Sequence, residues 1–133
     1  MKRGGKSRVY LAVGCGAALG SLLRMLTGAA AGFLGLPSVF ATGFVNVVGS
    51  FVIVFFAVLS GPEGRLPAGA ATRQFVMAGL CGGFTTFSAM SLDTFALLTD
   101  GEVAAAALYL ALTIALSLLA ASLAYVLADR CNR

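Results

Sequence analysis

Four long apolar runs separated by short polar connections dominate the pattern of hydrophobic and polar positions along the chain. They cover approximately residues 9–32, 39–59, 74–99 and 103–127. A helix needs about 20 predominantly apolar residues to cross the hydrocarbon core of a bilayer, and each run provides them. We therefore predict an all-α membrane protein with four transmembrane helices per subunit, forming a single four-span domain over residues 1–133.

The third run contains residues that a plain membrane helix does not need. From Gly79 to Asp93 its sequence is GLCGGFTTFSAMSLD, with three glycines, two adjacent threonines and two serines. Irregular backbone at membrane depth survives only where it is buried in protein or lines a cavity. We predict a helix broken near Gly82-Gly83, whose exposed carbonyls suit a hard cation such as sodium, and an ion pathway centred there.

The first run carries small residues on one face. Gly16, Gly20, Arg24 and Gly28 are four residues apart, and such a face predicts close packing against another helix. An arginine this far into the run either snorkels to the interface or has a structural or vestibule role.

The second and fourth runs each carry a polar stripe with the same spacing of four. The stripes consist of Thr42, Asn46 and Ser50, and of Tyr109, Thr113 and Ser117. An unsatisfied amide in hydrocarbon is costly, so Asn46 must have a partner, either another helix or an ion.

Composition strengthens the membrane assignment and argues against an enzyme. Hydrophobic residues make up 59% of the chain and charged residues 11%, and the mean hydropathy is +0.98. Without histidine, paired carboxylates or a cysteine dyad, no acid-base or nucleophilic set can be assembled. Cys15, Cys81 and Cys131 lack CxxC spacing, so we predict reduced structural cysteines and no metal-thiolate chemistry.

The net charge of +4 is placed for a membrane and not for nucleic acid. Eight of the nine Lys and Arg residues fall on one face of a four-span topology, which the positive-inside rule makes cytoplasmic. These are Lys2, Arg3, Lys6, Arg8, Arg65, Arg73, Arg130 and Arg133, against Arg24. A signal peptide is the competing interpretation of the N-terminus, disfavoured by the length of the run and the three spans that follow.

Three segments resemble the signature segments of the Fluc family, also called CrcB, of bacterial fluoride channels. They are GxxxGxxxR in the first span, TGFVNVVGSF at residues 42–51 and GLCGGFTTFSAMSLD at residues 79–93. They occur in the family's order and cover essentially the whole chain. The resemblance implies passive, fluoride-selective export across the bacterial cytoplasmic membrane, by an antiparallel dimer with two pores and a central structural sodium ion.

The resemblance also implies roles for particular residues. Sodium would be held by the main-chain carbonyls of Gly82 and Thr85, while Arg24 matches the family's first-helix arginine. The fluoride pore would be lined by Phe87, Asn46, Met90, Ser88, Thr42, Tyr109, Thr113 and Ser117. Amide and hydroxyl groups are donors to an anion, and the edge of an aromatic ring is positive.

The sequence departs from the family pattern at two positions. Met90 replaces a second phenylalanine, which removes one positive ring edge, and Asp93 stands where glutamate is usual. We expect Asp93 to face a vestibule or to interact with Arg24 or Arg73.

The charge bias conflicts with a subunit that inserts in both orientations. We hypothesise either a fixed-orientation subunit with an oppositely oriented paralogous partner, or a homodimer that inserts despite the bias. Two other functions remain open, a small four-span cation or drug-proton antiporter, which needs an intramembrane carboxylate such as Asp93, and a non-transporting membrane assembly subunit.

Overall fold

The computed structural model describes residues 3–133, with side chains from residue 5 onward, and this part of the chain contains helices and no strand. The predicted charges of Lys2 and of the Arg3 side chain lie outside the described residues. The helices are α1 (Arg3–Phe33), α2 (Ser38–Leu59), α3 (Ala70–Gln74), a π-helix (Phe75–Cys81), α4 (Gly82–Phe84), α5 (Phe87–Thr99) and α6 (Val103–Asn132).

Four helical spans are long and apolar enough to cross a membrane, which confirms the predicted all-helical, four-span architecture. They are Gly5–Phe33, Ser38–Leu59, Ala70–Thr99 and Val103–Asn132, and the third combines α3, the π-helix, α4 and α5. The turns that follow the first and third spans contain Gly35 and Gly101, with φ of 70° and 79°. Glycine adopts these left-handed torsions without the strain that a side chain would impose.

The spans pack as two close pairs, α1 against the third span and α2 against α6. Three of the residues that α6 buries are alanines, namely Ala106, Ala124 and Ala128. Small residues let two membrane helices approach closely, so backbone proximity holds the α2–α6 pair together.

Glycines from both sides form the contact between α1 and the third span. A methyl group on Gly20 would lie 2.8 Å from the amide nitrogen of Phe84, and one on Gly79 would lie 2.8 Å from the carbonyl oxygen of Val13. Gly16 and Gly83 are packed against backbone in the same way. Gly28, the last member of the predicted glycine face, has nothing within 4 Å of that position.

We expect Gly20→Ala to destabilise the protein, because the added methyl would press on the backbone of Leu80 and Phe84. Overpacking of this kind costs about 1–3 kcal/mol. Thermal unfolding in detergent measures the effect, with Gly28→Ala, on the same face of α1 but in open space, as the matched control. Equal unfolding temperatures for the two variants would contradict this account of the contact.

The third span is interrupted at Thr85 and Thr86, directly after the one-turn helix that contains Gly82 and Gly83. Both threonines are extended, with φ and ψ of −80° and 159° at Thr85 and −156° and 114° at Thr86. β-branched residues favour such extended torsions. The interruption therefore lies just beyond the predicted double glycine, which remains helical; Gly83 instead makes room for the backbone of Ala17.

The second connection and the C-terminus meet at one end of the bundle. The Arg65 guanidinium donates to the Cys131 carbonyl at 3.1 Å, and the Asn132 amide donates to the Val58 carbonyl at 3.3 Å. Arg73 donates to the Ala57 carbonyl at 3.3 Å. Cations near helix C-termini are stabilising, so these contacts fix the predicted positive end of the bundle.

Candidate ion pathway

A cavity of about 370 Å³ lies beside the interruption of the third span, between that span, α2 and α6. It brings together seven of the predicted site residues, and they come from three spans. These are Asn46, Gly82, Thr85, Phe87, Met90, Thr113 and Ser117.

A second cavity, of about 250 Å³, lies toward α1 and the first turn. It contains two further predicted residues, Arg24 and Thr42, and it shares Thr86 with the first cavity. Thr86 therefore stands between the two spaces.

Asn46 holds Thr86 through both halves of its amide. Its nitrogen Nδ2 donates to the Thr86 carbonyl at 3.0 Å, and the Thr86 amide donates to Asn46 Oδ1 at 2.7 Å. The pair resembles one rung of a β-ladder, formed by a side chain with an extended backbone residue. The partner that the sequence required for Asn46 is thus main chain of the third span, and the pair satisfies backbone groups that hydrocarbon would leave without a partner.

The pairing changes which carbonyls at the interruption have donors. In a continuous α-helix the Thr86 amide would donate to the Gly82 carbonyl, and the Ala89 amide would donate to the Thr85 carbonyl. Here the Thr86 amide donates to Asn46, and the Ala89 amide donates to the Thr86 hydroxyl at 3.1 Å as a helix cap. The carbonyls of Gly82 and Thr85 are deprived of their helical donors, and both residues line the first cavity.

Arg24 also contributes to the interruption. Its Nε donates to the Gly83 carbonyl at 3.2 Å, across the glycine contact between α1 and the third span. The side chain is half-buried and lines the second cavity. Arg24 therefore bonds to backbone and lines a cavity, and its structural or vestibule role stays a prediction.

The fourth span presents hydroxyl groups to the first cavity. The Ser117 oxygen is buried and has no hydrogen-bond partner among the described residues, and Thr113 is 5% exposed. A buried hydroxyl without a partner is costly, so the position of Ser117 indicates a ligand or water in the cavity.

Phe87 and Met90 begin α5 in different environments. Phe87 is 76% exposed at the first position of the helix, whereas Met90 is 5% exposed. Both line the first cavity, so the two positions that the sequence treats as a pair reach the same space from different depths.

A family model described as CrcB-like protein, Camphor Resistance (CrcB), matches residues 11–125 of the chain. The protein belongs to this CrcB-like family.

Three relatives are similar to this CrcB-like chain over nearly its whole length. The chain is 57% identical to fluoride-specific ion channel FluC 3 of Brucella abortus biovar 1 (strain 9-941), over 95% of this chain and 93% of the relative. It is 45% identical to fluoride-specific ion channel FluC 1 of Rhodopseudomonas palustris (strain BisB18), over 96% of this chain and 92% of the relative. It is 45% identical to fluoride-specific ion channel FluC of Methylocella silvestris (strain DSM 15510 / CIP 108128 / LMG 27833 / NCIMB 13906 / BL2), over 93% and 95%.

Three of the predicted residues of this CrcB-like protein line neither cavity, namely Ser88, Tyr109 and Asp93. The Ser88 hydroxyl oxygen lies 3.2 Å from the Thr86 hydroxyl oxygen. Tyr109 donates to one carboxylate oxygen of Asp93 at 3.3 Å, and Ser38 donates to the other at 2.9 Å.

The interaction of Asp93 with Arg24 or Arg73 is absent. Among residues 5–133 the one salt bridge joins Arg133 and Asp129. Asp93 accepts hydrogen bonds from hydroxyl groups instead. Arg24 donates to the Gly83 carbonyl, and Arg73, at the other end of the bundle, donates to the Ser60 hydroxyl at 2.8 Å.

Sequence reasoning missed three residues that shape the CrcB-like site. Thr86 supplies the backbone that Asn46 binds, and Gly49 makes room for the Thr85 methyl group. Cys81 lines the first cavity although its spacing carried no signal. The signal for Gly49 was available, because it follows Asn46 by three residues and so shares its helix face.

Proposed function

We propose that the protein is a passive, fluoride-selective channel of the bacterial inner membrane. The curated relatives are named fluoride-specific ion channels, and they match this chain almost end to end. The observation that carries the proposal is the cavity beside the interrupted span, where the buried Ser117 hydroxyl has no hydrogen-bond partner within residues 5–133. The lining residues include hydroxyl and amide donors and no carboxylate, a composition that suits a small anion.

Fluoride is strongly hydrated, so a path must replace water with donors and still release the ion. Hydroxyls at Thr113 and Ser117 provide neutral donors, and the edge of the Phe87 ring provides a positive but weak contact. Asn46 uses one Nδ2 proton on the Thr86 carbonyl, which leaves the second proton of that nitrogen for the ion. Weak, sequential contacts of this kind favour passage over tight binding.

We also propose that a structural sodium ion binds the main-chain carbonyls of Gly82 and Thr85. The fit is supported by the diversion of the Thr86 and Ala89 amides, which removes the donors these two carbonyls would have in a helix. Carbonyl oxygens are hard neutral ligands. The ion would supply a fixed positive charge, and the residues of the interruption would hold the backbone in place for it.

The channel is proposed to work as an antiparallel dimer. The ring of Phe87 is largely exposed on one subunit, so a second subunit would cover it and complete the wall of the path. The described positive charges remain concentrated on one side. Lys6, Arg8, Arg65 and Arg130 are exposed at the end of the bundle opposite the first connection. The partner is either a second copy or an oppositely oriented paralogue.

Expression of this chain alone decides between the two partners. A self-sufficient subunit is expected to yield crosslinked dimers with termini labelled from both sides of the membrane. Labelling of the termini from one side only, with no functional dimer, would indicate that the partner is the oppositely oriented paralogue.

Fluoride efflux from liposomes that hold the purified protein tests the function directly. We expect rapid passive loss of fluoride under an outward gradient, with no chloride loss in a matched preparation. Absence of fluoride flux, or equal chloride flux, would overturn the assignment.

We expect Met90→Phe to be tolerated, with fluoride flux within a few-fold of the unmodified protein. Met90 is nearly buried but borders a cavity of about 370 Å³, which has space for a ring, and the ring would add a positive edge. The efflux assay measures the outcome, and Leu92→Phe, at an exposed position on the same helix, controls for added volume. A loss of flux in Met90→Phe but not in Leu92→Phe would contradict the expectation that a ring is tolerated at position 90.

A further inference from the structure

We propose that the cavity beside the interrupted span binds one soft monovalent cation of the silver(I) and copper(I) class, with Cys81 and Met90 as its two sulfur ligands. Cys81 ends the π-helix and is 3% exposed, whereas Met90 lies on α5 and is 5% exposed. Both line the same cavity of about 370 Å³. The two residues therefore line one space and lie on the two sides of the interruption.

Sulfur chemistry selects the class of metal. Thiolate and thioether ligands are soft and prefer copper(I) and similar ions over hard cations. The described part of the chain contains no group of three or more His, Cys, Asp or Glu residues that could hold a metal ion. These residues therefore do not form a zinc-type site. Two sulfur ligands are enough for a soft ion that accepts linear coordination.

Binding requires no oxidation or reduction. The Cys81 thiol loses its proton to the buffer as the sulfur–metal bond forms, while Met90 donates a lone pair and stays neutral. The bound pair of thiolate and monovalent cation has no net charge, which suits a site with little access to water. The buried Ser117 hydroxyl, which has no partner among the described residues, lines the same cavity and can add a weak third contact.

This site departs from the expectation that the cysteines take no part in metal chemistry. That expectation rested on the spacing of cysteines alone, and here the second ligand is a methionine that the interrupted span brings to the same cavity. A cation held there would obstruct the path between Asn46 and Ser117. This consequence for flux rests on the proposed channel function, whereas the binding site does not.

Silver binding to the full-length protein tests the site itself. The background variant is Cys15→Ser with Cys131→Ser, which removes the two exposed cysteines and leaves Cys81. Equilibrium dialysis of detergent-solubilised protein against silver nitrate, in chloride-free buffer, is expected to give one silver ion per chain. Adding Cys81→Ser should weaken binding at least a hundredfold, and adding Met90→Leu at least tenfold. Unchanged affinity in either variant would overturn the site.

Fluoride efflux from liposomes then tests the consequence. Silver should block efflux in the background variant, and dithiothreitol should restore it, while the Cys81→Ser variant should keep its own rate in silver. Full efflux with silver bound at Cys81 would overturn the proposed obstruction. Absence of efflux before silver is added would overturn the channel function instead, and the dialysis measurement would still decide the metal site.

Discussion

Replacing Asn46 by leucine is expected to lower fluoride efflux about a hundredfold. The substitution removes both hydrogen bonds to Thr86 and leaves that residue's amide and carbonyl without partners at membrane depth. Each buried group left unpaired costs about 1–3 kcal/mol, and a loss of about 3 kcal/mol corresponds to a factor of about a hundred. The geometry of Gly82 and Thr85, which depends on the diverted Thr86 amide, would be lost with it.

Efflux from liposomes at equal protein density measures this effect. Phe44→Leu, on the exposed face of the same helix, is the matched control and should behave as the unmodified protein. Helix content and the elution position of the purified variant separate loss of the path from loss of the fold. A folded Asn46→Leu protein with normal efflux would show that the pairing with Thr86 is dispensable.

Replacing Phe87 by isoleucine is expected nearly to abolish efflux. Isoleucine keeps an apolar side chain at the start of α5 but has no positive ring edge to face the anion. Without the ring edge the desolvated ion has no partner at this point of the path, and a barrier raised there by about 3 kcal/mol would slow passage about a hundredfold. Because Phe87 is 76% exposed on the single subunit, its replacement should leave the subunit's own core intact.

The same efflux assay checks the Phe87 variant, with Phe95→Ile as control. Phe95 is on α5 too and is 62% exposed, but it lines neither cavity. The unfolding temperature of both variants should match that of the unmodified protein. Normal flux in Phe87→Ile would remove the ring from the mechanism.

The architecture could be predicted because span length and apolar pattern are local properties of a chain. The ends of the helices were harder to predict than the spans themselves. The helix α6, for example, continues to Asn132, beyond the apolar run that ends at residue 127. Helix-compatible residues extend it, and the contacts of Asn132 and Cys131 with the second connection tie it down. Such contacts join positions distant in sequence, and periodicity carries no record of them.

The interruption shows the same limit at the site. Glycine at positions 82 and 83 and threonine at 85 and 86 are each compatible with a broken helix, and the pattern alone does not say which pair departs from helical torsions. The deciding facts are the close approach of Gly83 to α1 and the pairing of Thr86 with Asn46. That Asn46 needs a partner followed from its chemistry, but the identity of the partner depended on how two spans are aligned.

The π-helix at Phe75–Cys81 lets the third span absorb the loss of one residue. A π-helical turn bonds across five residues and so accommodates one more residue than an α-helical turn. Deleting a single residue there would let the turn relax to α-helical bonding, and the residues that follow would keep their orientation about the helix axis. Gly83 would keep its contact with α1, and Gly82 and Thr85 would still line the cavity. In α2 or α6, by contrast, the same deletion would rotate everything that follows by about 100°.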